Sequence, residues 1–199
     1  MMKYLLLTIA LLIVAPAYAE VLVGNTVPAV VGNDAGGHTI HLSDYRGHVI
    51  VLEWTSPACP YSQYRYEAGA IQALQRQVVG KRGIWLTIDS DGRNGAGYMT
   101  KLQALKFIKK HHSAATALIR DTDSHIAALF GVKTTPYIAI IDRRGRLAYA
   151  GAFDSNSGAQ AADGIVRDYA HDALEDLWTG RPVRTAVTRT FGCMIKYAH

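Results

Sequence analysis

The sequence has 199 residues and is poor in cysteine, with only two of them, and poor in charge, with 19% charged side chains. Two cysteines are too few for a miniature fold held together by disulfides. The chain is 49% hydrophobic with a mean hydropathy of +0.04, which excludes a disordered tail, a collagen-like repeat and a polytopic membrane protein. The cysteine count therefore leaves two options, one disulfide or one reactive thiol.

The N-terminus has the three-part pattern of a secretory signal. A start that contains Lys3 leads into the apolar residues 5–15, and the small residues 17–19 follow Pro16. A membrane anchor is the alternative, but an anchor needs roughly 20 apolar residues and this run is shorter. We predict cleavage after Ala19, which gives a periplasmic or secreted chain of residues 20–199 without a stable membrane anchor.

The excess of positive charge is small. The formal net charge is +5, and loss of Lys3 with the signal lowers it by one. Such a mild excess is typical of a soluble basic surface, so we expect no nucleic-acid partner.

Helical and extended patterns alternate in the first two thirds of the chain. Apolar residues at 49–54 and 83–88 are typical of strands buried on both faces. A single helix is predicted from the spacing of Tyr64, Ala68, Ile71, Leu74 and Val78, which would end at Gly80. Another amphipathic helix is predicted from Leu102, Leu105 and Ile108. A short strand at 39–42, a strand at 116–119 and a short helix at 122–130 complete this part.

The last third favours a hairpin and a helix. Strands at 137–141 and 146–151 flank a turn, and Val166, Tyr169, Ala173 and Leu177 follow the period of a long final helix. The prediction is an α/β fold, a sandwich with a mixed central sheet flanked by helices. One domain spans residues 20–180, and residues 181–199 form a tail that carries Cys193.

Cys59 lies where the strand at 49–54 gives way to a helix. A thiol at a helix N-terminus faces unpaired backbone N–H groups and the positive end of the helix dipole, which favour the thiolate. Pro60 suits the first helical position, because the N–H that proline lacks would have no partner there. An inert buried cysteine is the alternative, and the combination of strand, turn, cysteine, proline and helix makes it the weaker one.

Three segments, residues 49–62, 130–136 and 138–145, together resemble a thioredoxin-fold redoxin. The chain is most similar to exported proteins of the alkyl hydroperoxide reductase and thiol-specific antioxidant superfamily, over roughly residues 24–151. Residues 190–197 also resemble the tail of one peroxiredoxin-like branch, which has a second cysteine near its end.

The resemblance implies roles for several residues. Cys59 would be the nucleophile and Cys193 the thiol that resolves its oxidised form. It implies a cis peptide between Thr135 and Pro136 that faces Cys59, with Thr135, Pro136, Ser56 and Trp54 in contact with substrate. Glu53 has the offset of the buried acid of thioredoxins and would assist proton transfer. From the residues alone, Glu53 either lies buried or points to solvent at the strand end.

The sequence also departs from the family pattern. Ser62 stands where most thioredoxin-type sites have their second cysteine, so only the distant Cys193 can serve. Leu52 stands where peroxiredoxins have a proline. No arginine can be assigned by motif. Arg65 lies on the helix that follows Cys59 and could stabilise the thiolate electrostatically, but the expectation is an exposed position.

Cofactor and metal sites are not predicted. The adjacent pair His111 and His112 would point apart on a helix, unlike the i, i+4 spacing of a metal site. The expected partners are a peroxide or protein disulfide substrate and an external thiol reductant.

Two functions remain open at this point. The first is an exported thiol-dependent oxidoreductase, either a peroxidase or a disulfide reductase. The alternative is a non-catalytic binding module in the cell envelope, in which Cys59 and Cys193 form a permanent structural disulfide.

Overall fold

The structure is a computed structural model that describes residues 20–156 and 166–198. The predicted signal peptide, residues 1–19, lies outside the described residues. Within the described part, no helix is both long enough and apolar enough to cross a membrane.

Strands and helices alternate as the α/β prediction requires. The strands are β1 (Val31–Asn33), β2 (Thr39–His41), β3 (Ile50–Trp54), β4 (Ile84–Asp89), β5 (Ala117–Arg120), β6 (Thr134–Thr135), β7 (Tyr137–Ile141), β8 (Leu147–Gly151) and β9 (Cys193–Met194). The helices are α1 (Pro60–Glu67), α2 (Ala70–Gly80), α3 (Lys101–Lys110), α4 (His125–Leu129) and α5 (Tyr169–Trp178).

A mixed sheet forms the centre, with the strand order β5-β4-β3-β7-β8. Strand β3 is parallel to β4 and antiparallel to β7, and β7 and β8 form the predicted hairpin. All five residues of β3 are buried, which confirms the prediction of a strand covered on both faces. This central position is what places the end of β3, and the residues after it, in the interior.

Separate apolar clusters cover the two faces of the sheet. Val51 contributes to one cluster, together with residues of α2, α3 and α5. Leu52 and Trp54 contribute to the other, which includes residues of α4. Ile195 and Tyr197 of the tail pack against this second cluster. The tail is therefore part of the folded domain.

The helix predicted across 64–78 is wrong in one respect, because the chain forms two helices there. Gly69 has a φ of 73°, a left-handed conformation that interrupts α1 before α2 begins. Tyr64 is exposed, whereas Ile71, Leu74 and Val78 of α2 are buried as the spacing predicts. The break turns the chain between the two helices.

Helix α3 buries a face that was only partly predicted, because Ile108 alone of the three predicted residues packs against the core. Leu102 and Leu105 are exposed, and Ala104 and Phe107 face the core. The final helix begins at Tyr169, where the Asp168 side chain accepts a hydrogen bond from the His171 backbone N–H at 3.1 Å. Val166 therefore precedes this helix, contrary to the prediction.

Candidate active site

Cys59 lies at the N-terminal end of α1, as predicted from the sequence. It is the residue that caps the helix, and Pro60 occupies the first helical position. Its backbone N–H donates to Ser56 O at 3.1 Å, which fixes the turn between β3 and α1. The side chain has no exposed surface. The strand and the helix thus hold the sulfur in the interior, beside the unpaired N–H groups of the first helical turn.

The loop before β7 lies against the Cys59 sulfur. The peptide between Thr135 and Pro136 is cis, as the resemblance implied. The Cys59 thiol donates to the backbone oxygen of Thr135, with 3.1 Å between Sγ and O. The hydroxyl of Thr135 is buried without a hydrogen-bond partner among the described residues, and it lowers the pKa of the Cys59 thiol. Thr135 and Cys59 are therefore in direct contact.

Cys193 comes from the tail to the same point, although 134 positions separate it from Cys59 in the chain. Strand β9 pairs antiparallel with β6, which sets Cys193 opposite Thr135. Both cysteines are free thiols, and the thiol and the backbone N–H of Cys193 both lower the pKa of Cys59. Cys193 is half-buried, whereas Cys59 is buried. The tail unites the two thiols in one site.

The two thiols have opposite pKa shifts. Burial raises the pKa of Cys59, but hydrogen bonds from the Cys193 thiol, the Ser62 backbone N–H and the Thr135 hydroxyl outweigh it and place this pKa below its ordinary value. Burial, the bond to Cys59 and the charges of Cys59 and Asp91 raise the pKa of Cys193 to about 12. Cys59 is therefore the more acidic thiol of the pair and ionises before Cys193.

Glu53 is fully buried, which excludes the alternative that it points to solvent. Its Oε2 accepts hydrogen bonds from Tyr66 Oη at 3.1 Å, Trp85 Nε1 at 2.9 Å and Thr87 Oγ1 at 3.0 Å. Burial raises its pKa to about 7, although these donors act in the opposite direction. Among the described residues, Oε1 has no hydrogen-bond partner, and Glu53 makes no hydrogen bond to Cys59 or Cys193.

Ser56 and Trp54 support the site from the end of β3. The Ser56 hydroxyl donates to Asp91 Oδ2 at 3.1 Å and accepts from the Ala58 N–H at 3.4 Å, so it stabilises the turn before Cys59. Trp54 has no exposed surface, and its Nε1 donates to Ser90 Oγ at 3.1 Å. The substrate contact expected for Trp54 stays a prediction, and in this structure its side chain is enclosed.

Asp91 is a site residue that the sequence did not reveal. Its Oδ2 accepts from Ser56, and its Oδ1 accepts from the backbone N–H of Lys196 at 2.8 Å. One carboxylate thus joins the turn before Cys59 to the tail that carries Cys193. No spacing in the sequence linked it to residues so far away in the chain.

Arg65 is buried, contrary to the expected exposed position. Its guanidinium forms a two-bond pair with Asp154, with 3.0 Å from Nε to Oδ2, and Nη1 donates to Tyr61 O at 2.9 Å. It also lies 5.7 Å from the centre of the Phe191 ring. Since its donors are used by Asp154 and backbone oxygens, Arg65 acts as an anchor for α1 and for the start of the tail.

In the described part of the chain, one group of side chains has the ligand types and spacing that a metal ion would need, and it is distant in sequence from both cysteines. Ligand atoms of Asp121, Asp123 and His125 lie within 4.8 Å of one another. The Asp121 oxygens already accept bonds from Ser90 Oγ and from the backbone N–H groups of Ile126 and Ala127. This acid therefore stabilises the start of α4. The ring of His111 packs against Tyr66 and Phe107.

Solved structures share this fold at low sequence identity. A hypothetical protein from Sinorhizobium meliloti 1021 has a TM-score of 0.78 at 22% identity, over 90% of this chain and 96% of its own. The thioredoxin domain of a thiol-disulfide oxidoreductase from Bacteroides vulgatus has a TM-score of 0.52 at 16% identity, over 66% and 89%. The exposed lipoprotein thioredoxin of Streptococcus pneumoniae has a TM-score of 0.51 at 20% identity, over 62% and 87%.

The sequence itself matches a family model. No curated protein matches the chain. Residues 23–150 match the AhpC/TSA family, a range that contains Cys59, Glu53 and the loop at Thr135 and leaves Cys193 outside. With a mixed sheet flanked by helices and a cysteine at the start of α1, the chain belongs to the AhpC/TSA family and has the thioredoxin fold.

Proposed function

We propose that this protein is a thiol-dependent oxidoreductase in which Cys59 is the nucleophile and Cys193 its partner thiol. One observation carries the proposal: β9 pairs with β6 and sets Cys193 opposite Thr135, whose backbone oxygen accepts from the Cys59 thiol. In agreement with it, the pKa values of the two thiols shift in opposite directions. A thiolate attacks and a thiol donates a proton, so the pair is divided into two roles before any substrate arrives. The oxidoreductase from Bacteroides vulgatus, with a similar fold, agrees with this class of chemistry.

With a hydroperoxide, the reaction proceeds in two steps. The Cys59 thiolate attacks one peroxide oxygen, the O–O bond breaks, and the departing alkoxide takes the proton of Cys193 to leave as an alcohol. Cys59 is now a sulfenic acid and Cys193 a thiolate. Cys193 then attacks the Cys59 sulfur, the S–O bond breaks, hydroxide leaves and a disulfide forms.

With a disulfide substrate, the same atoms serve. Cys59 attacks one substrate sulfur, the substrate S–S bond breaks, and one substrate thiolate leaves with the proton of Cys193. Cys193 attacks the Cys59 sulfur of the mixed disulfide and releases the second substrate thiolate. In either case an external thiol reductant returns the Cys59–Cys193 disulfide to two thiols.

The surrounding residues have supporting parts in this proposal. Thr135 would stabilise the thiolate through its hydroxyl, and together with Pro136 it would border the substrate. Ser56 and Trp54 would hold the turn before Cys59 from within. Glu53, whose pKa of about 7 suits proton exchange near neutrality, would act through an intervening water, since neither sulfur is its hydrogen-bond partner.

We also propose that the protein works outside the cytoplasm. The pattern of residues 1–19 supports export, and the fold is shared with the exposed lipoprotein thioredoxin of Streptococcus pneumoniae. Export would place both thiols where a disulfide is stable between cycles.

Mass mapping of the cysteines during a redox titration tests the proposal. We expect one equivalent of hydrogen peroxide to link Cys59 to Cys193 in the wild-type protein. Cys193→Ser should stop at a Cys59 sulfenic acid that dimedone captures, and Cys59→Ser should form neither product. A Cys59→Ser variant with full turnover on peroxide and on disulfides would overturn the proposal. A reduction potential below roughly −300 mV would favour the permanent structural disulfide instead.

A further inference from the structure

The tail forms a short strand along one edge of the loop that contacts Cys59. Strand β9 pairs antiparallel with β6, with Met194 opposite Thr134 and Cys193 opposite Thr135. The pairing continues beyond the strand, where the Ile195 N–H donates to Lys133 O at 2.9 Å. These strands lie outside the central sheet. The arrangement is that of an extended peptide added to an exposed strand edge.

Contacts beyond Cys193 fasten this strand. The Lys196 N–H donates to Asp91 Oδ1 at 2.8 Å, and Lys196 O accepts from the Gly92 N–H at 2.7 Å. The Ala198 N–H donates to Ser124 Oγ at 3.0 Å. Backbone groups make all these bonds on the tail side. The tail is therefore bound through its backbone hydrogen bonds, as an extended peptide ligand would be.

The approach on the other side of Cys193 is too close for a side chain. Gly192 has a φ of 141°, and a Cβ placed on it would lie 1.9 Å from Thr135 O. The preceding Phe191 lies with its ring centre 6.1 Å from that of Tyr61. The tail thus sets Cys193 opposite Thr135, with Gly192 against the Thr135 backbone and an aromatic residue before it.

We propose that the tail of this chain occupies the strand edge with which a polypeptide substrate would have to pair. While the tail is docked, low-molecular-weight oxidants react with Cys59 and polypeptide disulfides are excluded. The inference rests on the proposed function and names its substrate class. Each backbone N–H and C=O of β6 that β9 has taken is no longer free for a second strand. A small oxidant needs no strand pairing and reaches the sulfur through side-chain motion.

The excluded reaction is defined chemically. A polypeptide disulfide that reached Cys59 would be attacked by the thiolate, its S–S bond would break, a mixed disulfide would form, and one thiolate would leave. While β9 is docked, Cys193 occupies the position of the attacked cysteine. Release of the tail would open that position without a change in the nucleophile.

Single-cysteine variants allow a direct test. Cys193→Ser leaves Cys59 as the reacting thiol and keeps β9. Adding Gly192→Ala forces a Cβ against Thr135 O and displaces the tail. The matched control adds Gly180→Ala instead, because Gly180 also has a positive φ of 74° but no atom lies within 4 Å of an added Cβ. The probes are hydrogen peroxide, oxidised glutathione, and a decapeptide whose central cysteine carries a glutathione disulfide.

We expect Gly192→Ala to raise the rate of mixed-disulfide formation with the decapeptide by roughly tenfold or more, the effect of losing about one backbone hydrogen bond of docking. The rates with hydrogen peroxide and oxidised glutathione should change far less, and Gly180→Ala should match Cys193→Ser on every probe. An equal rise on all probes, or no rise on the decapeptide, would overturn the inference.

Two further measurements cover a variant that does not fold and a Cys59 that does not react. Should Gly192→Ala not fold, a chain that ends at Phe191 removes β9 and is compared with Cys193→Ser on the same probes, with the same expectation. Should Cys59 of Cys193→Ser react with neither peroxide nor either disulfide, the proposed function itself fails. That outcome is distinct from normal peroxide reactivity with an unchanged decapeptide rate, which overturns the substrate class alone.

Discussion

The two cysteines are positioned by different kinds of interaction. Cys59 is placed by its immediate neighbours in sequence, since β3 ends five residues before it and Pro60 begins α1. Cys193 is placed by contacts with distant parts of the chain, namely β6 and Asp91. The local arrangement supplies the helix N-terminus that favours a thiolate, whereas the distant one supplies the proton donor. A nucleophile can therefore be read from a short motif, but its partner cannot.

The largest effect is expected when the partner thiol is moved to a position close to Cys59 in the sequence. Ser62 is buried three residues after Cys59, its hydroxyl has no partner among the described residues, and its backbone N–H lowers the pKa of Cys59. We expect Ser62→Cys to restore peroxide-driven disulfide formation to a Cys193→Ser chain, with the bridge now between positions 59 and 62, because such spacing suits a redox pair at a helix start. Mass mapping of the cysteines after peroxide treatment measures the fraction of chains with the bridge between positions 59 and 62.

The matched control is Ser62→Ala in the same Cys193→Ser chain, which should remain at the sulfenic acid. If the Ser62→Cys chain also stops there, the geometry of the first turn, and not merely the lack of a cysteine, makes the tail necessary.

Glu53 belongs to the local part of the site, because it lies in β3, before Cys59, and makes no hydrogen bond to the tail. Its pKa of about 7 in the folded protein exceeds the ordinary 4.5. The folded state therefore keeps a proton that the unfolded state releases, and stability is lost as the pH rises from about 4.5 through about 7. We expect the free energy of unfolding of Glu53→Gln, relative to wild type, to rise by about 3 kcal/mol across this range.

Urea unfolding of both proteins near pH 4 and near pH 8 measures this difference. Burial also raises the pKa of Asp89 to about 7, but Asp89 is present in both chains and cancels. The Cys59–Cys193 disulfide should still form in both proteins, but more slowly in Glu53→Gln, because Glu53 is proposed to assist proton exchange. Parallel pH profiles for the two proteins would show that Glu53 keeps an ordinary pKa.

The same division between local and distant contacts explains how much could be predicted from sequence. The strands at β3, β7 and β8 followed from apolar runs and a turn, and Cys59 followed from the motif around it. The single helix predicted across α1 and α2 was wrong because the pattern of apolar spacing continues through Gly69, whose left-handed backbone the pattern does not register. For α3, two exposed leucines had the helical spacing, while Ala104 and Phe107 carried the packing.

The distant contacts of the site had no such signal. Asp91 meets the tail across 105 positions, and Arg65 meets Asp154 across 89. Burial of an arginine or an aspartate depends on a partner that another part of the chain supplies, so neither residue type nor spacing reveals it. The apolar residues of the tail indicated that it had surface to bury, but not that it would pair with β6.

The smallest expected effect concerns how the tail tunes the nucleophile. Of the hydrogen bonds that lower the pKa of Cys59, the one from the Cys193 thiol is the strongest. Cys193→Ala removes this donor, and Cys193→Ser keeps a hydroxyl in its place. We expect the pKa of Cys59 to be about 1 to 2 units higher in Cys193→Ala than in Cys193→Ser, since a hydrogen bond to a charged group contributes about 1.5 to 3 kcal/mol.

Each of these variants has one cysteine, so the ultraviolet absorbance of the thiolate as a function of pH reports Cys59 alone. Exposed Met194 makes a matched control, because Met194→Ala in the Cys193→Ser chain alters the same strand without touching the donor and should leave the pKa of Cys59 where Cys193→Ser has it. Equal pKa values in Cys193→Ala and Cys193→Ser would mean that the helix start and Thr135 suffice to favour the thiolate. The tail would then supply a second thiol to the site without lowering the pKa of Cys59.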